Sequence, residues 1–151
     1  MRAHFELDKV GQLKEYIGCK VDLNREEGWV KLTQPVLMQS YVDEFDISVS
    51  EAPRMPAIPG EVLQKGEPSD HVTPEEQTKY RSGVGKLLHM MKWTRPEILN
   101  AVRELSRFMT GATRAHMVAL YCVMKYCVGT PNRGLLLMPD TAWDGDPDLN
   151  S

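Results

Sequence analysis

Tyr80-Arg-Ser-Gly-Val-Gly-Lys-Leu-Leu-His89, continued by Trp93-Thr-Arg-Pro-Glu97 and Arg103-Glu-Leu-Ser-Arg107, is the stretch whose reading decides the fold. Just ahead of it, Thr73-Pro-Glu-Glu76 has the form of a capping box with proline in the first helical turn. Tyr80, Val84, Leu87, Leu88 and Met91 then recur at helical spacing, which predicts an apolar stripe along one helix. Thr94-Arg-Pro-Glu97 repeats the start signal: Thr94 is placed to cap, Glu97 to reach back, and Ile98, Val102, Leu105 and Met109 line a second stripe. Gly111 interrupts the pattern, Thr113 can cap a third helix with Leu120, Val123, Met124 and Cys127 inward, and Gly129-Thr-Pro131 ends it. Three short amphipathic helices with brief connections bury their stripes only by packing together. Gly83 and Gly85 within the first of them are expected to permit close helix packing, against a propensity cost of about 1 kcal/mol each.

Working outward, residues 13–21 and 29–33 are short, β-rich runs separated by Asp22-Leu-Asn-Arg-Glu-Glu-Gly28, in which Asn24 and Gly28 are turn formers. They predict a β-hairpin with a loop longer than the minimum. Gln34-Pro35 opens a helix with Met38, Tyr41, Val42 and Phe45 on one side. Periodicity then stops between Ile47 and Val72, while Pro53, Pro56, Pro59, Gly60, Gly66 and Pro68 accumulate. So long a structureless run marks a linker or a strap lying on a surface. The expected class is α+β: an N-terminal β-hairpin plus helix, a Pro-rich connector, then a three-helix bundle with a candidate C-terminal strand at Leu135 to Met138. The expected divisions are 1–46, 47–72, 73–139 and an acidic tail at 140–151.

Composition sets limits on function. With 42% hydrophobic and 26% charged residues among 151, the chain can bury one modest core. Cys19, Cys122 and Cys127 are too few for a disulfide framework and lack metal-site spacing, which fits a reducing compartment. No apolar run approaches the roughly 18 residues needed to span a bilayer, so the expected location is intracellular, cytoplasmic or nuclear, and not secreted. The net charge of −3 is uneven: residues 1–72 hold 8 Lys/Arg against 13 Asp/Glu, residues 73–134 hold 10 against 4, and residues 135–151 hold none against 4. A basic block of this kind can follow a phosphate backbone through counterion release. Charge alone favours the plainer reading, a solvated basic surface neutralised by the protein's own acids.

On the second helix, Arg103 and Arg107, joined by Asn100, lie opposite the apolar stripe, and a planar guanidinium matches phosphate oxygens. Arg95 sits in a first helical turn, where the dipole disfavours a cation, which points to an external partner or to a contact with a carboxylate in the first part of the chain. Tyr41-Val-Asp-Glu44 has the look of a polymerase metal motif, yet it falls inside a helical pattern and reads as a helix surface. The four histidines are scattered without metal-ligand spacing, and the C-terminal aspartates lack a calcium-loop pattern.

Four blocks occur in order: Gly11-Gln-Leu-Lys-Glu-Tyr-Ile-Gly-Cys19; Leu32-Thr-Gln34 with Tyr41; Tyr80 to Leu88 with Thr94-Arg-Pro96 and Leu105-Ser-Arg-Phe108; and His116 with Lys125-Tyr126, Gly129-Thr130 and Gly134-Leu135. Together they resemble the part of copia-type retrotransposon reverse transcriptases that follows the catalytic palm. The resemblance implies that the hairpin around Tyr16, Ile17, Gly18 and Trp29 is similar to a primer grip, and that the later helices are similar to the thumb and the connection leading to ribonuclease H. It implies weak binding of primer and template through those residues together with Lys86, Arg95, Arg103, Arg107 and Lys125. It also implies that the palm aspartates and the ribonuclease H carboxylates belong to other parts of the polyprotein. No cofactor is then expected in this chain, the magnesium of the full-length family enzyme being held elsewhere, and the chain is expected to be inactive alone. Expected partners are primer and template nucleic acid and the palm and ribonuclease H parts, with no membrane. Cys122 departs from the family, which usually has arginine there. Tyr16, Ile17 and Trp29 are expected to be partly exposed and prone to association. The alternatives from the residues themselves are a non-enzymatic helical interaction module and a functionless transposon remnant.

Overall fold

The computed structural model describes residues 15–16, 18–48, 52–57 and 61–138, with only the backbone described at 15–16. Ile17, residues 1–14 and the tail at 140–151 lie outside the described residues. β1 (Glu15–Tyr16) and β2 (Cys19–Asn24) pair antiparallel with Tyr16 opposite Cys19. The run read as one strand therefore folds back on itself around Gly18, which takes φ 72°. A two-residue connection needs left-handed backbone, and glycine adopts it without a Cβ clash. β2 continues into β3 (Trp29–Thr33), with Lys20 opposite Thr33 and Asn24 opposite Trp29. In the loop between them the Asn24 Oδ1 accepts the N–H groups of Glu26 and Glu27, both at 3.0 Å, as its turn chemistry leads one to expect.

β4 (Leu135–Leu137) adds antiparallel to β3, with Val30 opposite Leu137 and Leu32 opposite Leu135, giving the order β1-β2-β3-β4. The candidate C-terminal strand is thus real. Gly134 makes its approach feasible, because a Cβ there would stand 2.1 Å from the Leu32 carbonyl oxygen. Alternation along the register sorts the side chains: Cys19, Val21, Leu23, Val30, Leu32, Leu135 and Leu137 share one face, and Lys20, Asp22, Asn24, Trp29, Lys31 and Thr33 share the other. Of the apolar face only Cys19 is buried, and no described strand side chain belongs to the hydrophobic core.

The helices are α1 (Pro35–Phe45), α2 (Pro74–Trp93), α3 (Leu99–Ser106) and α4 (Arg114–Gly129). α2 begins as read: Thr73 Oγ1 accepts the Glu76 N–H at 3.3 Å and Glu76 Oε2 accepts the Thr73 N–H at 3.2 Å. Its buried stripe differs by one position. Tyr80, Gly83, Val84, Leu87 and Met90 are inside while Leu88 is exposed and Met91 half-buried, because α2 packs against α1, α3 and α4 together. Thr94 does not cap α3. It ends α2, donating its hydroxyl to Gln34 Oε1 at 2.7 Å, and a 3-10 turn at Pro96–Ile98 leads into α3.

One core joins the parts. Met38, Tyr41, Phe45 and Ile47 pack with Val84, Leu87, Met90, Leu105, Leu120 and Met124. Gly83 permits this closeness, since a Cβ there would meet Leu120 and Met124 at 2.9 Å, whereas Gly85 faces open space and has no such role. The connector is a strap on that body at its C-terminal end: Val72 N–H donates to Ala112 O at 2.9 Å, and His71 bridges Thr113. Among the described residues no helix is long and apolar enough to cross a membrane.

Candidate nucleic-acid interface

α3 presents its polar side to solvent because Ala101, Val102 and Leu105 face the core and leave Asn100, Arg103 and Arg107 outside. Arg103 is exposed and enters no described ion pair, while Arg107 pairs with Glu104 at 3.0 Å and lies over the Phe108 ring at 5.4 Å. An exposed pair of this type is worth about 0–1 kcal/mol, so a phosphate can displace Glu104 readily. Arg81, unremarked from the sequence, joins this side. It is exposed, and its Nε donates to the Met109 carbonyl just beyond Arg107, which leaves the outer guanidinium nitrogens available. Its place on the polar side of the α2 stripe was a legible signal.

The other expected contacts are distributed differently. Lys86 is held at the α1–α2 junction by Glu44 at 2.5 Å and Ser40 at 3.1 Å, with only 20% of its side chain exposed. Lys125 is half-buried and lines a shallow depression of about 550 Å³ with Phe45, Asp46, Ile47, Pro53, Val118, Tyr121 and Cys122. Burial pushes the Cys122 thiol up, against reactivity, with Lys125 opposing the shift. Gly18 and Trp29 stand at opposite ends of the β2–β3 hairpin, and Trp29 Nε1 donates to Glu27 Oε2 at 2.6 Å. The Tyr16 backbone lies in β1, its side chain is outside the described residues, and so is Ile17.

Arg95 is a correction. It is fully buried and offers no surface to a phosphate. Its guanidinium donates to Glu97 Oε1 at 2.5 Å, to Thr130 O at 3.1 Å, to Thr130 Oγ1 at 2.7 Å and to Cys127 O at 3.5 Å, and lies over the Tyr126 ring at 5.3 Å. Although misplaced for the helix it precedes, the cation sits at the C-terminal end of α4, where the dipole favours positive charge. Its partners are Glu97 and the end of α4, neither an external ligand nor a carboxylate in the first part of the chain.

The same accounting covers most of the quoted blocks. Gln34 meets Thr94, the Tyr80 hydroxyl donates to Leu105 O at 2.5 Å, Gly83 receives α4, and His116 bonds the backbone of Thr113 and Gln64. These residues hold elements to one another. The exposed arginines ride on that scaffold.

The chain is 39% identical over 83 residues, 48% of its length, to the retrovirus-related Pol polyprotein from transposon RE1 of Arabidopsis thaliana. It is 36% identical over 83 residues to that from transposon RE2 of the same plant. Its relatives are transposon Pol polyproteins. A third, from transposon TNT 1-94 of Nicotiana tabacum, aligns over 131 residues, 83% of this chain, at 26% identity. These are polyproteins of copia-type transposons, and the chain spans only 6–10% of the Pol polyproteins it matches. No protein-family profile and no solved structure matches it.

Proposed function

We propose that this chain is the segment of a copia-type reverse transcriptase that positions primer and template, with thumb-like helices α2 to α4 and a primer-grip-like hairpin. The observation that carries the reading is the exposed arginine side formed by Arg81, Arg103 and Arg107, set on a helical scaffold whose clamping residues coincide with the family's blocks. Its similarity to transposon Pol polyproteins supports the origin. In this reading the metal-dependent chemistry belongs to other parts of the polymerase, and the chain alone makes no phosphodiester bond. Lys86 and Lys125 contribute less than the arginines, being engaged with α1 and the depression beside it.

Binding of the chain to an RNA–DNA hybrid, followed by fluorescence anisotropy over a salt series, tests the reading. Three phosphate contacts give a log–log slope of roughly −2 to −3, and Arg103→Ala reduces its magnitude by about 0.9. A slope near zero overturns it. The competing reading, a non-enzymatic helical module, draws on the internal pairing of Lys86, Arg95, Arg107 and Arg114 with glutamates. That flat slope is its signature.

A further inference from the structure

Residues 61–67 of the connector run beside the start of α4, where the His116 side chain bonds the backbone of both. His116 Nδ1 accepts the Thr113 N–H at 3.0 Å, and Nε2 lies 2.8 Å from the Gln64 carbonyl oxygen. A ring nitrogen that accepts from an amide carries no proton, so the neutral ring has its proton on Nε2 and donates it to Gln64. The ring is buried and stacked on Phe108 with centroids 3.7 Å apart. Beside it, Gly66 packs on Thr113 with room for no side chain, and His71 lies against Gly111. A second proton on Nδ1 would point at the Thr113 N–H, donor against donor.

We propose that His116 is a proton-operated latch: neutral, it accepts the Thr113 N–H and closes the junction between the connector and the head of α4, and protonated, it keeps its donation to Gln64 but loses the Thr113 bond, which loosens the adjoining Val72–Ala112 and His71–Thr113 contacts. His71, on the connector, is the titratable group that acts on the ring, and it opposes a further positive charge. Glu67 and Asp70 are engaged with each other across the 3-10 turn at Pro68–Asp70, and Arg114 at the head of α4 pairs with Glu76 of α2 at 3.0 Å. Among the described residues no carboxylate is hydrogen-bonded to the imidazole.

Burial lowers the His116 pKa below its ordinary 6.5, with the Gln64 contact opposing the shift and His71 adding to it. The neutral ring's contribution to stability is therefore complete above pH 6.5. It declines as pH falls below 6.5 and is gone below the folded value.

Amide hydrogen exchange of the full chain at pH 7.5 and pH 5.0, corrected for intrinsic rates, reads the latch. Protection of the Thr113 and Val72 amides is expected to fall by about tenfold at the lower pH, while Val84 and Leu87 are unchanged. In His116→Gln the amide side chain can still accept from Thr113 and donate to Gln64 but cannot titrate, so protection stays flat with pH. Unchanged protection in the native chain, or an equal pH response in His116→Gln, overturns the proposal. If His116→Gln does not fold, the imidazole 15N shifts of the native chain decide: an Nε2-protonated ring at pH 7.5 that titrates together with Val72 exchange supports the latch, and any other tautomer or an uncoupled titration sinks it.

Discussion

The guanidinium of Arg95 illustrates how little a residue's type says about its task. It spends its hydrogens on Glu97, Thr130 and Cys127 and has none for solvent. Removing it leaves the Cys127 and Thr130 carbonyls with one backbone donor each, from Thr130 and Arg133, and takes the cation away from Glu97 and the Thr130 hydroxyl. Arg95→Ala should lose about 2–4 kcal/mol in urea unfolding, with Arg95→Lys recovering only part, since one ammonium cannot serve these divergent acceptors. Arg103→Ala should change stability by less than about 0.5 kcal/mol, because an exposed side chain with no side-chain partner among the described residues has little folded-state energy to lose. Sequence reasoning distinguished Arg103 correctly as a surface group, since its own helix supplies the contrast with Val102 and Leu105. It misplaced Arg95 because the acceptors come from α4, some thirty residues further on, and no local pattern announces a partner at that distance.

Helix α2 carries a comparable contrast in its two glycines. Gly83 has the Leu120 and Met124 side chains where a Cβ would stand, and Gly85 has nothing within 4 Å. Gly83→Val should destabilise by about 1–3 kcal/mol through overpacking against α4. Gly85→Ala should instead raise stability by about 0.5–1 kcal/mol, as the helix loses an unneeded flexible residue. Thermal unfolding of the two variants separates the roles. Element starts such as Thr73-Pro-Glu-Glu76 and the stripes of α1 and α4 were legible, because capping and 3.6-residue periodicity are local. Thr94-Arg-Pro-Glu97 carried the same letters and misled: Gln34, in the first part of the chain, takes the Thr94 hydroxyl, and a buried hydrogen bond outweighs a solvated cap.

At the level of the molecule, the four helices bury a common core while the apolar side of the sheet stays outside it. Leu137 is 51% exposed, and Val21, Leu23, Val30 and Leu32 are half-buried. A contiguous apolar face of this kind promotes association. Sedimentation velocity should show the chain's average mass rising with concentration, and the paired change Leu23→Lys with Val30→Lys should abolish that rise without shifting the helical signal. An unchanged association would place the contact elsewhere. The hairpin was legible from alternation and turn residues, but whether anything covers its apolar side depends on sheet-to-helix geometry that no single strand encodes.

The pairing of Val30 with Leu137 also orders events during synthesis. Local helices can form as they emerge, yet β3 must wait for Leu135–Leu137 before its outer edge is bonded. Until then the ribosome-bound chain displays a bare β edge, the kind of template to which a neighbouring nascent chain can add a strand.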